Sequence, residues 1–127
     1  MEPKINKIAE DYRGAIFLIE NLLENNKEFT FLEIKKGFAR GGCIHNNKEF
    51  FAVIKGRVKF IWGDNEKILN QGDSGVIPPK MPHAFFALED SIVSEWGITT
   101  KEKKMDVKDK ELRAKVDEAN KNMVQKN

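Results

Sequence analysis

The sequence predicts an all-β domain, a sandwich or small barrel, with one helix at its C-terminal end. Three observations predict it. Residues 14 to 100 are rich in Phe, Ile and Val and are cut at short, fairly regular intervals by Gly, Pro, Asn and Asp, the pattern of short strands joined by tight turns. Residues 101 to 127 turn to Lys, Glu, Asp and Asn and carry one apolar stripe. A length of 127 residues, 40% of them hydrophobic, suits a single core and leaves little room for a second. The expected organisation is therefore a β-barrel over residues 1–100 and a polar helix or tail over 101–127.

Residues 1 to 13 read as a polar lead-in, with Ile5, Ile8 and Tyr12 as anchors. "GAIFLIENLL" and "EFTFLEIKKG" are apolar runs separated by the polar "ENNK", a hairpin pattern. "EFFAVIKGRVKFIW" is longer and holds Gly56, which inside a strand marks a bulge or bend. "GDNE", residues 63 to 66, is a turn signal before the short "KILN" and then "QGDSG". "GVIPP", "PHAFFAL" and "SIVSEWGI" complete about eight strands, and the Phe/Ile/Val enrichment favours strands over short helices. The helix is expected from about Val107 to Val124, where Leu112, Val116, Ala119 and Met123 recur at spacings of four, three and four. So narrow a stripe suits a helix on the barrel's flank or one that pairs at a dimer interface.

The charge is nearly balanced, 22 basic against 20 acidic residues for a formal net charge of +2. That predicts neither nucleic-acid nor anionic-membrane binding. One cysteine cannot form an internal disulfide, which points to a reducing cytoplasm. The N-terminus lacks the apolar region of a signal peptide, and no run approaches a membrane span. P-loop, G-x-G-x-x-G, H-E-x-x-H, paired C-x-x-C and N-x-[ST] patterns are all absent.

The chemistry concentrates in "KGFARGGCIHNNKEFFAVIKG", residues 36 to 56. If this stretch is extended, Cys43, His45, Asn47 and Glu49 share one face and lead into Phe51 and Val53. A carboxylate entering an apolar barrel needs a partner, because an unpaired buried charge is costly. A metal ion, a protonated His45 or a substrate hydroxyl could each supply one. The second half of the site is expected from "GDSGVIPPKMPHAF", residues 72 to 85, which holds His83. His45 and His83 are the only histidines in the chain.

These residues carry a resemblance to the cupins. The first cupin motif is matched by Gly37, "FARGG", Cys43-Ile44-His45, "NNK", Glu49, "FFAVIK" and Gly56, with Cys43 standing where the first His of His-x-His would be. The second is matched by Gly72, "DSGVI", Pro78, Pro79, Lys80, "MP" and His83. There Lys80 replaces the Gly of Pro-x-Gly, and Ala87 replaces the expected Asn. The resemblance covers about residues 28 to 99. It implies a double-stranded β-helix, the jelly-roll barrel, with Cys43, His45, Glu49 and His83 converging at the mouth of a cavity. Three states follow from that set. All four could hold a divalent ion, the thiolate shifting preference toward zinc or iron and away from manganese. His45, Glu49 and His83 alone would make two imidazoles and one carboxylate, a set suited to iron(II). Or no metal binds, and Cys43 is a small buried hydrophobe. The cofactor expected is accordingly one divalent ion (iron, zinc, nickel or manganese) or none.

A narrower resemblance adds to this. Asp11, Arg13 and Gly14, then Arg40, Gly41 and His45, are similar to motifs of cupins that epimerise or isomerise nucleotide-linked keto-sugars. Cys43 stands where those epimerases have their catalytic base, which speaks against 3,5-epimerisation of the usual kind. What the resemblance implies is isomerisation or epimerisation of a nucleotide-linked or free sugar, by histidine acid/base chemistry or with a divalent metal. His45 would shuttle the proton, Glu49 orient it and His83 stabilise an enediol oxygen. Arg40 would grip a diphosphate, while Lys55, Arg57 and Lys59 read as a solvated outer face. Phe51, Phe60, Phe85 and Trp96 are candidates to line the cavity, and Glu95 is a further carboxylate near it. Two other readings compete: a non-catalytic module that binds a small ligand, and a metal-dependent dioxygenase. The expected partners are a small-molecule ligand and a second copy in a homodimer, with neither nucleic acid nor membrane.

Overall fold

The computed structural model describes residues 2–103 and 105–126; Met1 and Asn127, at the ends of the lead-in and tail, and Lys104 lie outside the described residues. The strands are β1 (Lys4–Asp11), β2 (Gly14–Glu20), β3 (Lys27–Ile34), β4 (Ala39–Ile44), β5 (Glu49–Lys55), β6 (Arg57–Trp62), β7 (Asn65–Asn70), β8 (Ser74–Ile77), β9 (His83–Ala87) and β10 (Ser91–Thr99). A one-turn helix α1 (Thr100–Lys103), the short β11 (Val107–Lys108) and the helix α2 (Lys110–Gln125) follow. Two antiparallel sheets face one another as a jelly roll. One runs β1-β2-β3-β10-β5-β8 and the other β11-β4-β9-β6-β7. Their inner faces enclose a core built around Ile34, Phe51, Val53, Val58, Ile77 and Phe85, the alternate positions that a half-buried strand supplies.

Gly56 is the corner the sequence marked. It ends β5 in one sheet and starts β6 in the other, with φ +84°, and a Cβ there would meet Asp90 O at 2.5 Å. Only glycine turns the chain so tightly against that carbonyl.

Three expectations are corrected. The polar lead-in is a strand, β1, which pairs along β2 from Lys4↔Glu20 to Asp11↔Gly14. Its backbone hydrogen bonds hold it where few side chains are buried. The "KILN" strand begins earlier, at Asn65, because the turn needs little more than Gly63 and Asp64. The helix begins at Lys110 and not Val107: Val107 and Lys108 pair with Ile44 and Cys43, and the Asp109 side chain accepts from Leu112 N at 3.0 Å as the N-cap. From there α2 lies on the flank of the barrel, where Leu112 and Val116 pack against Ala39 and Ala84 of β4 and β9.

The outer face of the six-stranded sheet carries a row of apolar residues from edge to edge. The register places Ile5, Ile19, Phe29, Trp96, Phe50 and Val76 side by side across β1, β2, β3, β10, β5 and β8. Trp96 is stacked between Phe29 at 5.5 Å and Phe50 at 6.0 Å. Among the described residues no helix is long and apolar enough to cross a membrane.

Candidate functional site

The site forms where β4, β5 and β9 meet at one end of the sandwich. β4 ends at Ile44, residues 45 to 48 turn, and β5 opens at Glu49. His45 and Glu49 are thus brought together by a tight turn and not by one extended face. Asn47 faces solvent in that turn, with its amide on Glu102. The two glycines before Cys43 set the approach. Arg40 and Gly41 pair with Phe85 and Ala84, then the register steps over Gly42 so that Cys43 meets His83. This is a bulge. At Gly41 the neighbouring strands β4 and β9 are so close that a Cβ would lie 2.7 Å from both Ala84 Cα and His83 O. Lys80, in the glycine position of the second motif, keeps the left-handed backbone a glycine would take, φ 62°, and its N–H donates to His45 O at 2.7 Å.

Candidate ligand atoms of His45, Glu49 and His83 all lie within 4.8 Å of one another, and the three residues are 4%, 2% and 2% exposed. His45 Nε2 is 3.1 Å from Glu49 Oε1, and the two imidazole rings are 4.7 Å apart. His83 Nδ1 is 3.1 Å from Met81 O, which fixes Nδ1 as the protonated nitrogen and leaves Nε2 to a ligand. On the other side of His45, Asp106 Oδ1 lies 2.7 Å from Nδ1, and Lys103 Nζ is 3.9 Å from Glu49 Oε2. The contacts of His45 are of ion-pair length but off the hydrogen-bonding axis. His45 Nδ1, Glu49 Oε1 and Asp106 Oδ1 are therefore buried without a hydrogen-bond partner. Glu49 Oε1, buried without a hydrogen-bond partner beside the two imidazoles, is a demand that a divalent cation satisfies, so the residues fit a metal centre of two His and one carboxylate.

The electrostatics follow from burial and from the carboxylates gathered here. Burial pushes the His45 pKa down, but Glu49 and Asp106 outweigh it and hold it above the usual value. Burial dominates at His83 and lowers its pKa. Burial, and then the charge of Glu49, pushes Glu95 up to about 7. Burial works against the Lys103 ammonium, yet Glu95 and Glu49 hold its pKa above the ordinary. Burial, then Asp106, raises the Cys43 thiol. Burial lowers Arg40 to about 10, which leaves it a cation at neutral pH.

A cavity of about 260 Å³ opens onto this cluster, and Arg40, Cys43, His45, His83, Phe85 and Glu95 are in its wall. Cys43 is there without belonging to the three-residue cluster. Arg40 spends Nε on Glu33 O at 2.9 Å and Nη2 on Gly14 O at 2.8 Å, and lies 3.9 Å from Asp11. The two segments of the narrower resemblance thus touch. Phe51 is in the core, edge-on to Phe85, and not in the wall. Trp96 is a correction: it follows the inward Glu95, so strand alternation turns it to the outer face, away from the cavity. Arg57 and Lys59 stand at the surface with Glu89 at 3.6 Å and Glu66 at 3.7 Å, as a solvated face would. Asp106 and Lys103 were not legible in the sequence. They sit among many similar charges in "TKEKKMDVKD", and nothing local separates them from their neighbours.

A family model described as "Cupin domain" matches residues 30–96. Solved structures share the fold. Salicylate 1,2-dioxygenase from Pseudaminobacter salicylatoxidans aligns with TM-score 0.54 and 17% identity over 56% of this chain. This chain spans only 20% of that one's length. KdgF from Halomonas sp. aligns with TM-score 0.61 and 17% identity, over 72% of this chain and 83% of that one. The capsular polysaccharide assembling protein CapF from Staphylococcus aureus gives TM-score 0.61 and 20% identity, over 76% of this chain and 28% of that one. At such identities the likeness is one of fold. The family match rests on the chain's own sequence, and over it lie the two facing sheets and the buried His45, Glu49 and His83: this chain belongs to the cupin family.

Proposed function

We propose that this cupin is a small-molecule enzyme that moves a proton beside a carbonyl in a small polar metabolite, such as a free sugar, with one divalent ion held by His45, Glu49 and His83. The observation that carries the reading is the buried cluster itself, ligand atoms within 4.8 Å of one another. A bound ion would polarise the substrate carbonyl and so acidify the neighbouring C–H. Glu95 is the group in the cavity wall suited to take that proton and return it, being buried beside the cluster with a pKa of about 7. Arg40 and Phe85 would supply polar and apolar contacts in the same wall. A cavity of about 260 Å³ is smaller than the ~300–1,000 Å³ of ordinary ligand sites. That favours a free sugar or similar metabolite over enclosure of a whole nucleotide-linked one.

A second reading needs no metal. Lys103 Nζ at 3.9 Å from Glu49 Oε2 brings positive charge to the cluster, and His45 would then be the proton shuttle. An oxygenase reading draws on the fold shared with salicylate 1,2-dioxygenase, of which this chain spans a fifth. The apolar row from Ile5 to Val76 supports a homodimer, and the single cysteine suits a reducing cytoplasm.

The test has two arms. Elemental analysis of untagged protein should give near-stoichiometric divalent metal, lost in His83→Ala. Incubation with free aldoses and ketoses in D₂O, read by NMR, should show deuterium entering beside the carbonyl, and Glu95→Gln should abolish it. Metal without exchange on any sugar would end the isomerase reading. Exchange without metal would shift it to His45.

A further inference from the structure

We propose that two residues beyond the matched cupin region are working parts of the site: Asp106 is the positioning residue for His45, and Lys103 is a built-in rival of any cation bound at Glu49. Each is carried by its own segment, Lys103 by residues 100–103 and Asp106 by residues 105–109. Both segments are fastened. In the first, Glu102 N donates to Thr99 Oγ1 at 3.1 Å, and the Glu102 carboxylate takes the Asn47 amide from the turn between His45 and Glu49. In the second, β11 pairs with Ile44 and Cys43, and Asp109 N–H donates to Gly42 O at 2.8 Å. Between those points Asp106 and Lys103 come onto the cluster from outside the two cupin motifs.

Each has a defined effect. Asp106 Oδ1 makes no aligned hydrogen bond to His45, but at 2.7 Å from Nδ1 its charge lies nearer the ring than Glu49 Oε1 does at 3.1 Å from Nε2. It therefore favours the proton on Nδ1 and leaves Nε2, on the side of Glu49 and His83, to a cation. Lys103 acts the other way, since an ammonium 3.9 Å from Glu49 Oε2 must be displaced or repelled before a divalent ion takes that carboxylate. Asp106 therefore favours cation binding and Lys103 opposes it. The effect on metal rests on the reading of the cluster as a metal centre, whereas the effect on the His45 ring does not.

The experiment titrates full-length protein with Zn²⁺ and Co²⁺ by calorimetry. Asp106→Asn should weaken both ions about 10–100-fold, the usual effect of losing such a partner, and Lys103→Met should tighten them several-fold. A segment that merely held the fold together would move both variants in the same direction, and that result overturns the proposal. Nitrogen-15 NMR of the metal-free protein, at a pH where the ring is neutral, gives the second readout. His45 should be Nδ1-protonated in the wild type and lose that preference in Asp106→Asn. An unchanged tautomer together with unchanged ion affinity also overturns the proposal. Should the wild type bind neither ion, the metal reading falls, and the tautomer alone decides whether Asp106 positions His45.

Discussion

Glu49 Oε1 lies 3.1 Å from His45 Nε2, and both side chains are almost wholly buried. The pair joins the first residue of β5 to the residue just past the end of β4, so it fixes the turn between two strands that belong to opposite sheets. It also sets up a conflict. Removing the charge leaves the fold with less to neutralise but takes one ligand from the cluster. Glu49→Gln is therefore expected to abolish stoichiometric metal binding in calorimetry while leaving the far-UV circular dichroism of the metal-free protein unchanged. Full metal binding by the variant would remove Glu49 from the ligand set.

Glu95 makes the stability of the metal-free protein depend on pH in a specific sense. Burial, and then the charge of Glu49, raises its folded pKa from 4.5 to about 7. The folded state thus holds this proton more tightly than the unfolded chain does. The resulting stabilisation is complete below pH 4.5 and is lost as pH rises toward about 7. Melting temperature should fall across that window in the wild type, and the fall should be shallower in Glu95→Gln, whose amide stays neutral throughout. Parallel melting curves for the two proteins would show that Glu95 is not the group responsible.

Much of the barrel was legible because strands leave a period-two record and turns need particular residues. Gly56 and the "GDNE" turn were readable on those grounds, as were the two motif segments that hold His45, Glu49 and His83. What was hidden has a physical explanation in each case. β1 is stabilised by backbone pairing, so its side chains carry little apolar signal. Trp96 is apolar enough to line a cavity, and only the inward direction of Glu95 reveals that it faces outward. Asp106 meets His45 across a long stretch of chain, and one sequence holds no trace of which charge in a polar tail comes back to the core.

Gly56 and Lys80 make a complementary pair of backbone tests. Both have positive φ, +84° and 62°, but the Gly56 position has no room for a side chain: a Cβ would also lie 2.9 Å from Ser91 Cα. Gly56→Ala is expected to cost ~2 kcal/mol or more, from strain and the backbone clash together. Lys80 already bears a side chain in the left-handed region, where it costs ~1 kcal/mol. Lys80→Gly relieves that strain and regains part of it as unfolded-chain entropy, so it should be neutral or stabilising by up to ~1 kcal/mol. Urea denaturation of both variants measures the difference. Destabilisation by Lys80→Gly would mean that the lysine side chain, and not the backbone shape, is what the second motif needs.

The flank helix tests whether the tail is part of the folded unit. Leu112 is 6% exposed and Val116 0%, and together they close the small cluster over Ala39 and Ala84. Asn120 adds two hydrogen bonds to the Ala39 backbone, at 2.7 and 3.0 Å. Ala39 opens the strand that leads to His45, so loosening the helix should reach the site. Leu112→Ala is expected to lower unfolding free energy by ~2–4 kcal/mol, the usual cost of truncating a buried leucine. Asp109→Ala, which removes only the N-cap, should cost ~1 kcal/mol. If α2 and the barrel form one cooperative unit, fluorescence and far-UV circular dichroism will give coincident transitions in both variants. A separate early loss of helical signal in Leu112→Ala, with the barrel transition unmoved, would show instead that the tail unfolds alone.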